Sequence, residues 1–128
     1  SMIKQYSIKT SKRNEFIDIT SQVQDQVGEV TEGVVTVFAP HTTTGITINE
    51  NADPDVPRDI LKKFEELIPQ RDNYSHMEGN SDAHIKASLF GSSVRVIIKD
   101  GQLLLGTWQS IFFCEFDGPR TRTFYVQV

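Results

Sequence analysis

Residues 94–128 read VRVIIKDGQLLLGTWQSIFFCEFDGPRTRTFYVQV, and this stretch decides the fold. Asp100-Gly101 lies between two apolar runs, a pattern that favours the tight turn of a β-hairpin. Asp117-Gly118-Pro119 marks a second turn between segments rich in aromatic and β-branched residues. The predicted strands are residues 94–98, 103–105, 107–116 and 121–128. Short turns between successive strands indicate antiparallel pairing.

Upstream of this stretch, four more segments have the composition of strands. Tyr6 and Ile8 alternate with polar residues, and the segment before His41 is rich in valine. These patterns are typical of half-buried strands. The predicted strands here are residues 6–8, 16–19, 33–39 and 43–48.

Helical periodicity marks one principal helix over about residues 54–68. Pro54 and Pro57 suit its first turn, and Asp53 or Asp55 would cap it. Its apolar stripe consists of Ile60, Leu61, Phe64, Leu67 and Ile68.

Shorter helices are predicted near residues 21–28 and 82–90, where Gly28 and Gly91 mark their ends. Strands and helices do not alternate regularly, which argues against a parallel α/β sheet. The sequence therefore predicts a mainly β, α+β fold. We expect an antiparallel, jelly-roll-like β-sandwich with one principal helix, in a single domain over residues 1–128.

Composition limits the partners of the chain. Its 128 residues carry a net charge of −4, so phosphate backbones would repel it and nucleic-acid binding is not expected. No apolar run approaches the roughly 20 residues that span a bilayer, so no membrane partner is expected.

Ser1 before Met2 resembles a remnant of tag removal and no secretory signal is recognisable, so we expect a cytoplasmic protein. Cys114, the single cysteine, is expected to be a buried apolar residue.

All three histidines lie in polar segments. His76 and His84 belong to YSHMEGNSDAHIKASLFG over residues 74–91, and His41 opens HTTTGITINENADPD over residues 41–55. Imidazole beside oxygen ligands suits a divalent metal, here zinc, magnesium or manganese, and His41, His76 and His84 are the candidate ligands. Their spacing matches no strict metal signature, so the alternative that they hydrogen-bond loop backbones stays open.

Other polar residues are candidates for acid-base or phosphate chemistry. Glu50 precedes the principal helix without a structural task, which suits a general base or the partner of a histidine. Lys86 and Ser88, on the second short helix, would hold a phosphate together with backbone amides. The alternative is a solvated lysine and an ordinary helix cap.

The strand after the hairpin carries further candidates. One face of residues 109–116 is expected to be core. Trp108 is interpreted as a core or interface residue, or as a stacking platform for a flat heterocycle. Glu115 would pair with Arg120, or both would face a substrate, whereas Arg122 is explained by a solvated strand face.

Five blocks taken together resemble the YjbQ-like family. They are Pro40-His41-Thr42-Thr43, Asn49-Glu50-Asn51-Ala52-Asp53-Pro54, His76 with Glu78-Gly79, His84-Ile85-Lys86-Ala87-Ser88 and Gly106-Thr107-Trp108-Gln109. Their order and approximate spacing are those of the family, and the match covers nearly the whole chain.

The resemblance implies a β-sandwich-like subunit that assembles as a homotrimer, with a polar pocket near the subunit boundary. It also implies a weak secondary thiamine-phosphate synthase activity, which joins a pyrimidine diphosphate to a thiazole phosphate. We expect Glu50, His76 and Glu78 to be the catalytic residues of this pocket. The residues expected to bind substrate are Asp53, Lys86, Ser88, Trp108, Gln109, Glu115 and Arg120.

That reaction needs support for a leaving pyrophosphate, which Lys86, Arg120, Ser88 or a histidine-bound cation would supply. The first hypothesis is therefore a metal-assisted enzyme acting on a small phosphorylated or heterocyclic metabolite, without an organic cofactor. The alternative is a non-catalytic trimeric module that binds a metal or a metabolite.

Overall fold

Eight strands and three helices make up residues 2–128, the part of the chain that this computed structural model describes. Ser1, interpreted above as a tag remnant, lies outside the described residues. In chain order the elements are β1 Ile3–Lys9, β2 Glu15–Asp18, α1 Thr20–Val27, β3 Glu32–Phe38, β4 Thr44–Glu50, α2 Asp55–Leu67, α3 Ser81–Phe90, β5 Ser93–Lys99, β6 Gln102–Leu103, β7 Gln109–Glu115 and β8 Thr121–Gln127.

The strands form two antiparallel sheets. A five-stranded sheet has the order β1-β8-β3-β5-β6, and a three-stranded sheet has the order β2-β7-β4. Every pairing within the described residues is antiparallel. The predicted mainly β, α+β sandwich is therefore confirmed.

The main core lies between the two sheets. Alternate side chains of each strand point inward, as the period of two requires. The buried members from the five-stranded sheet are Val35, Val37, Val96, Ile98, Phe124 and Val126, and those from the three-stranded sheet are Ile46, Ile111 and Phe113. The helix α1 adds Val23 and Val27, because their spacing of four residues puts them on one face.

A second apolar cluster lies on the other face of the three-stranded sheet, where α3 packs. Ala83 and Ala87 of α3 contact a cluster that includes Phe112, Cys114 and Phe116. The expectation that only one face of residues 109–116 is core is wrong, because α3 covers the face that a two-layer sandwich would leave exposed. The burial predicted for Cys114 is confirmed, and burial raises the pKa of its thiol well above the ordinary value.

The hairpin predicted at Asp100-Gly101 is present. Both residues have positive φ, 53° and 76°, as the tight turn requires. The returning strand β6 is shorter than the predicted residues 103–105. Its pairing ends because the Leu105 amide donates to the Leu103 carbonyl at 2.9 Å, which bends the chain away.

The principal helix α2 covers residues 55–67, close to the prediction. Asp53 Oδ1 accepts the Asp55 amide at 2.9 Å, so Asp53 stabilises the start of the helix. The apolar stripe is only partly buried, and Leu67 is exposed. Within residues 2–128, no helix combines the length and apolarity needed to cross a membrane.

Candidate functional site

The histidines gather at the end of the sandwich where β4 begins. His41 lies just before β4 and His84 lies on α3, and both line a cleft of about 430 Å³ together with Glu78 and Arg120. We call this space the histidine cleft. His76 adjoins it, because the His76 and His84 rings are perpendicular with centroids 5.5 Å apart. Distant segments thus bring all three imidazoles to one region.

His41 is held by the backbone of β8. Its Nε2 lies 2.9 Å from the Thr123 amide nitrogen and 3.0 Å from the Thr123 carbonyl oxygen. Burial and the nearby Arg122 guanidinium lower the pKa of His41 below its ordinary value, which favours neutral imidazole near pH 7. Because Nε2 is occupied in either tautomer, Nδ1 is the nitrogen left for a ligand.

The exposed loop before α3 carries His76 and Glu78. Their side chains are 46% and 75% exposed, and His76 Nε2 lies 3.7 Å from Glu78 Oε2. This distance exceeds a hydrogen bond, so the pair contributes little to stability. The loop instead places one imidazole and one carboxylate at the rim of the histidine cleft.

The imidazole and carboxylate groups around the histidine cleft are of types that bind divalent metals. Too few of them lie close together to form a complete metal site. If Nδ1 of His41 bound a cation, Nε2–H would donate to the Thr123 carbonyl, an arrangement that orients metal-binding imidazoles. No group of three histidine, cysteine or acidic side chains in residues 2–128 is close enough to hold a metal ion. Within the described residues, the three imidazoles therefore do not form a complete metal site.

Arg120 gives the histidine cleft a half-exposed cation. Its Nη2 lies 3.1 Å from Asp117 Oδ2, and its side chain is 51% exposed. Asp117 and Asn80 also line the cleft and bond to each other at 2.9 Å. The sequence places Asn80 among the oxygen ligands between His76 and His84 but gives it no separate role, and Asp117 is explained there by a turn.

Glu115 pairs with Arg122 and not with Arg120, so the predicted Glu115–Arg120 pair is wrong. Arg122 Nη2 lies 2.6 Å from Glu115 Oε2, and both side chains are buried. The expected solvated face for Arg122 is also wrong, because the residue shares the inward face of β8 with Phe124 and Val126. Alternate residues of a strand point to the same face, so the apolar Phe124 and Val126 were the sequence signal that Arg122 points inward.

The pKa of Glu115 reflects opposing effects. Burial raises it, but hydrogen bonds from Arg122, Thr10 and the Asp117 amide outweigh burial and lower the pKa below its ordinary value. The carboxylate stays ionised and joins the two sheets below the histidine cleft. Arg122 also donates to Thr43 Oγ1 at 2.7 Å, which ties the ion pair to the segment that carries His41.

Ser88 and Lys86 separate on opposite sides of α3. Ser88 lines a hollow next to the histidine cleft with His41 and His84, and its hydroxyl donates to the His84 carbonyl at 2.9 Å. Lys86 is two positions from His84, about 200° around the helix. It is buried beside Asp82, so the alternative of a solvated lysine is wrong.

The remaining candidates lie at the opposite end of the three-stranded sheet. Thr44 pairs with Glu115, whereas Glu50 pairs with Gln109, and six residues of strand separate these ends by about 20 Å. Asp53 follows Glu50 at the start of α2. Gln109 Oε1 accepts the Gly106 amide at 2.8 Å. The fold of one chain therefore does not bring all the predicted site residues together.

Trp108 belongs to this distant group and is 62% exposed. Its carbonyl accepts the Asn51 amide at 3.1 Å, which ties the start of β7 to the end of β4. The indole is therefore not part of the core of this chain. Its exposure is compatible with a position in an interface and with stacking on a flat heterocycle.

The fold and the cleft define a small protein in which an antiparallel sandwich carries a histidine-lined polar site at one end. Residues 4–128 match the model of the family described as UPF0047 protein YjbQ-like, and the chain belongs to this family. It is 57% identical to a UPF0047 protein of Methanocaldococcus jannaschii, with 99% of this chain and 94% of the relative covered. It is 54% identical to the UPF0047 protein YugU of Bacillus subtilis, with 99% and 98% covered.

Solved structures show the same fold. An uncharacterised conserved protein of the YjbQ/UPF0047 family from Clostridium acetobutylicum superimposes with a TM-score of 0.95 at 58% identity, covering 97% of this chain and 98% of that one. A protein of unknown function from Sulfolobus solfataricus gives a TM-score of 0.93 at 32% identity, with 98% and 94% covered. The resemblance inferred from the five motif blocks is thus confirmed at the level of the family.

Proposed function

We propose that this chain is a small-metabolite enzyme whose histidine cleft acts on a phosphorylated or heterocyclic substrate, in the manner of a secondary thiamine-phosphate synthase. The observation that carries the proposal is the meeting of His41, His84 and the half-exposed Arg120 in one open cleft. Imidazole N–H donors and a guanidinium suit a substrate that bears phosphate. A cytoplasmic location and the lack of an organic cofactor stay predictions.

Different residues in and next to the cleft would contribute to different parts of the reaction. A bond forms between the thiazole nitrogen and the pyrimidine methylene carbon while the bond from that carbon to the diphosphate oxygen breaks, and pyrophosphate leaves with the electron pair. Arg120 would bind an oxygen of the leaving group, and Ser88 would position the substrate. His41, His76 and His84 do not form a complete metal site by themselves, so a divalent metal at the cleft would take part of its ligands from a second copy, and it would supply further positive charge.

A homotrimer would bring the distant candidates to the cleft. Glu50, Trp108 and Gln109 lie about 20 Å from the histidine end within one subunit. The outward face of the five-stranded sheet is also apolar, with Ile3, Val34, Phe38 and Ile97 exposed. We propose that a second copy covers this face and that a neighbour supplies the Glu50 group to the cleft.

Metal analysis tests the metal half of the proposal. Protein purified without chelator and loaded with zinc or manganese should hold about one metal per subunit, and His84→Ala should lose it. Glu66→Gln is the control, because Glu66 is exposed on α2 and does not line the histidine cleft. Metal content that is equally low in wild type and His84→Ala would contradict this half.

Complementation between inactive variants tests the shared site. His84→Ala and Glu50→Gln should each abolish thiamine-phosphate formation without dissociating the trimer. Trimers reassembled from equal amounts of both should regain about a quarter of wild-type activity, because one boundary in four combines an intact His84 with an intact Glu50. Mixed trimers with no activity would exclude a site built across the boundary.

A non-catalytic trimeric module that binds a metal or metabolite is the second candidate. The position of Glu50 favours this second candidate. Glu50 does not line the histidine cleft of its own chain, where the exposed Glu78 is the one predicted catalytic carboxylate. Turnover distinguishes the two candidates. Saturable binding of thiazole phosphate with no product in wild type would support the module, whereas product formation that His76→Ala abolishes would support the enzyme.

A further inference from the structure

A second cleft lies on the other side of α3 from the histidine cleft. The space measures about 520 Å³, and its polar lining consists mainly of Lys12, Arg13, Asn14, Gln70, Asp82 and Lys86. We call it the lysine cleft. None of these residues lines the histidine cleft. The lysine cleft is therefore a separate feature that the proposed reaction does not use.

Lys86 is a nearly buried ammonium group with spare hydrogen-bonding capacity. It is 2% exposed, and its Nζ lies 3.3 Å from both Asp82 Oδ2 and Asn14 Oδ1. Both distances are at the long end for hydrogen bonds. Because an ammonium group has three donors, one N–H has no partner among the described residues. Lysine is rarely buried to this extent without full pairing.

Arg13 presents a second unused donor in the same cleft. Its Nη1 lies 3.0 Å from Asp117 and its Nη2 lies 3.0 Å from Asp82. Its Nε is shielded from solvent and has no hydrogen-bond partner within residues 2–128. A shielded donor without an acceptor is costly, and a bound water or ion is one of the ways in which such groups are satisfied in native proteins.

The charge of the lining favours an anion. Three cations, Lys12, Arg13 and Lys86, face two carboxylates, Asp82 and Glu65, which leaves one net positive charge. Asp82 is shared between Arg13 and Lys86, so it neutralises only part of their charge. Asp117 also pairs with Arg13, but it lies outside this lining and is shared with Arg120. Glu65 lies on the exposed surface of α2 at the rim, where water screens it.

We propose that the lysine cleft binds a small oxyanion, the phosphate group of free phosphate or of a phosphomonoester. The Lys86 ammonium and the unpaired Arg13 Nε–H are its donors, and Lys12 adds charge at the rim. Lysine binds phosphate as a point charge, which suits the loose geometry around Nζ. This site differs from the histidine cleft in residues and position and does not depend on the reaction proposed there.

Amide chemical shifts of the full chain test the site during titration with inorganic phosphate or with glycerol 3-phosphate, and glycerol serves as the uncharged control. We expect saturable shifts at residues 12–14 and 70. Lys86→Gln should weaken phosphate binding at least tenfold, and Lys12→Gln should weaken it about threefold. Stronger binding of glycerol 3-phosphate than of phosphate would identify a phosphomonoester as the ligand, and the reverse would identify free phosphate.

Two control variants distinguish binding in the lysine cleft from a general charge effect and from binding in the histidine cleft. Lys62→Gln makes the same charge change on the exposed surface of α2 and should leave the affinity unchanged, and His84→Ala should leave the shifts at residues 12–14 intact. Lys12 is exposed, so Lys12→Gln reports on the site even if Lys86→Gln fails to fold. Shifts confined to the histidine cleft, or an equal loss with Lys62→Gln and Lys12→Gln, would overturn the proposal.

Discussion

Glu115 joins the two sheets through a single buried ion pair. It accepts from Arg122 at 2.9 and 2.6 Å and from Thr10 Oγ1 at 2.8 Å. Removing one member of a buried pair leaves the other charge without compensation. The pair therefore joins the two sheets at the histidine end of the sandwich. Removing one partner should destabilise the fold by more than the net stabilisation that the intact pair provides.

Glu115→Gln should lower the free energy of unfolding by about 3 kcal/mol at pH 7, because Arg122 would stay buried without a counter-charge. Urea unfolding at fixed protein concentration measures this change. Asp55→Asn is the matched control, because the Asp55–Arg58 pair is exposed and its loss should cost less than about 1 kcal/mol. Equal losses in the two variants would contradict the assigned role.

The same pair has a pH signature. The pKa of Glu115 is lower in the folded state than in the unfolded chain, so the unfolded chain takes up the proton first as the pH falls. The stability that Glu115 contributes is present above the unfolded carboxyl pKa of about 4.3 and is lost as the pH falls through the folded value. The difference in unfolding free energy between wild type and Glu115→Gln should therefore shrink below about pH 4.

At the scale of elements, α3 and β4 approach closely at Gly45. A Cβ at this position would lie 2.9 Å from Phe90 Cβ and 3.0 Å from the Gly91 carbonyl oxygen. The Ile46 amide donates to that same carbonyl at 3.0 Å, so the contact fixes α3 against the strand. This contact sets the position of His84 relative to His41.

Gly45→Ala should lower the free energy of unfolding by about 1–3 kcal/mol, because the added methyl group forces α3 away from β4. Thermal unfolding gives the stability, and the affinity for zinc reports whether His84 has moved. Gly33→Ala is the control, since its Cβ would meet only Val30 Cγ1 at an ordinary 3.5 Å. A Gly45→Ala protein as stable as Gly33→Ala would show that α3 adjusts without cost.

At the scale of the whole molecule, the outward face of the five-stranded sheet is the surface on which the proposed trimer depends. Phe38 and Ile97 are 42% and 58% exposed there, on neighbouring strands. Clustered apolar groups of this kind on a sheet favour association. The histidine cleft and the Glu50 end of the three-stranded sheet would then meet only in the assembly.

Ile97→Lys should convert the proposed trimer to monomers, because a charge at the centre of an apolar interface is left without a partner. Sedimentation velocity across a range of protein concentrations measures the mass. Leu67→Lys is the control, because Leu67 is similarly exposed but lies on α2. A trimer that survives Ile97→Lys and dissociates in Leu67→Lys would place the interface on α2.

The positions of the strands, the hairpin turn and the principal helix were predictable from residue order. Their signals are local: alternation in β8, the Asp-Gly turn and the apolar stripe of α2. The gathering of the histidines was also predicted, since polar segments at strand ends tend to carry sites. The burial of both faces of β7 was not predictable, because it depends on a helix that is distant in sequence.

The partners of the charged residues were decided only by the tertiary structure. Glu115 pairs with Arg122 rather than Arg120, and Lys86 turns away from the histidine cleft towards Asp82. Pairing register and helix rotation set these partners, and both depend on long-range packing. Local patterns in the sequence therefore specify which elements form and which residue types carry chemistry. The packing of sheets and helix determines which side chains meet, because charged groups find partners across the fold and not along the chain.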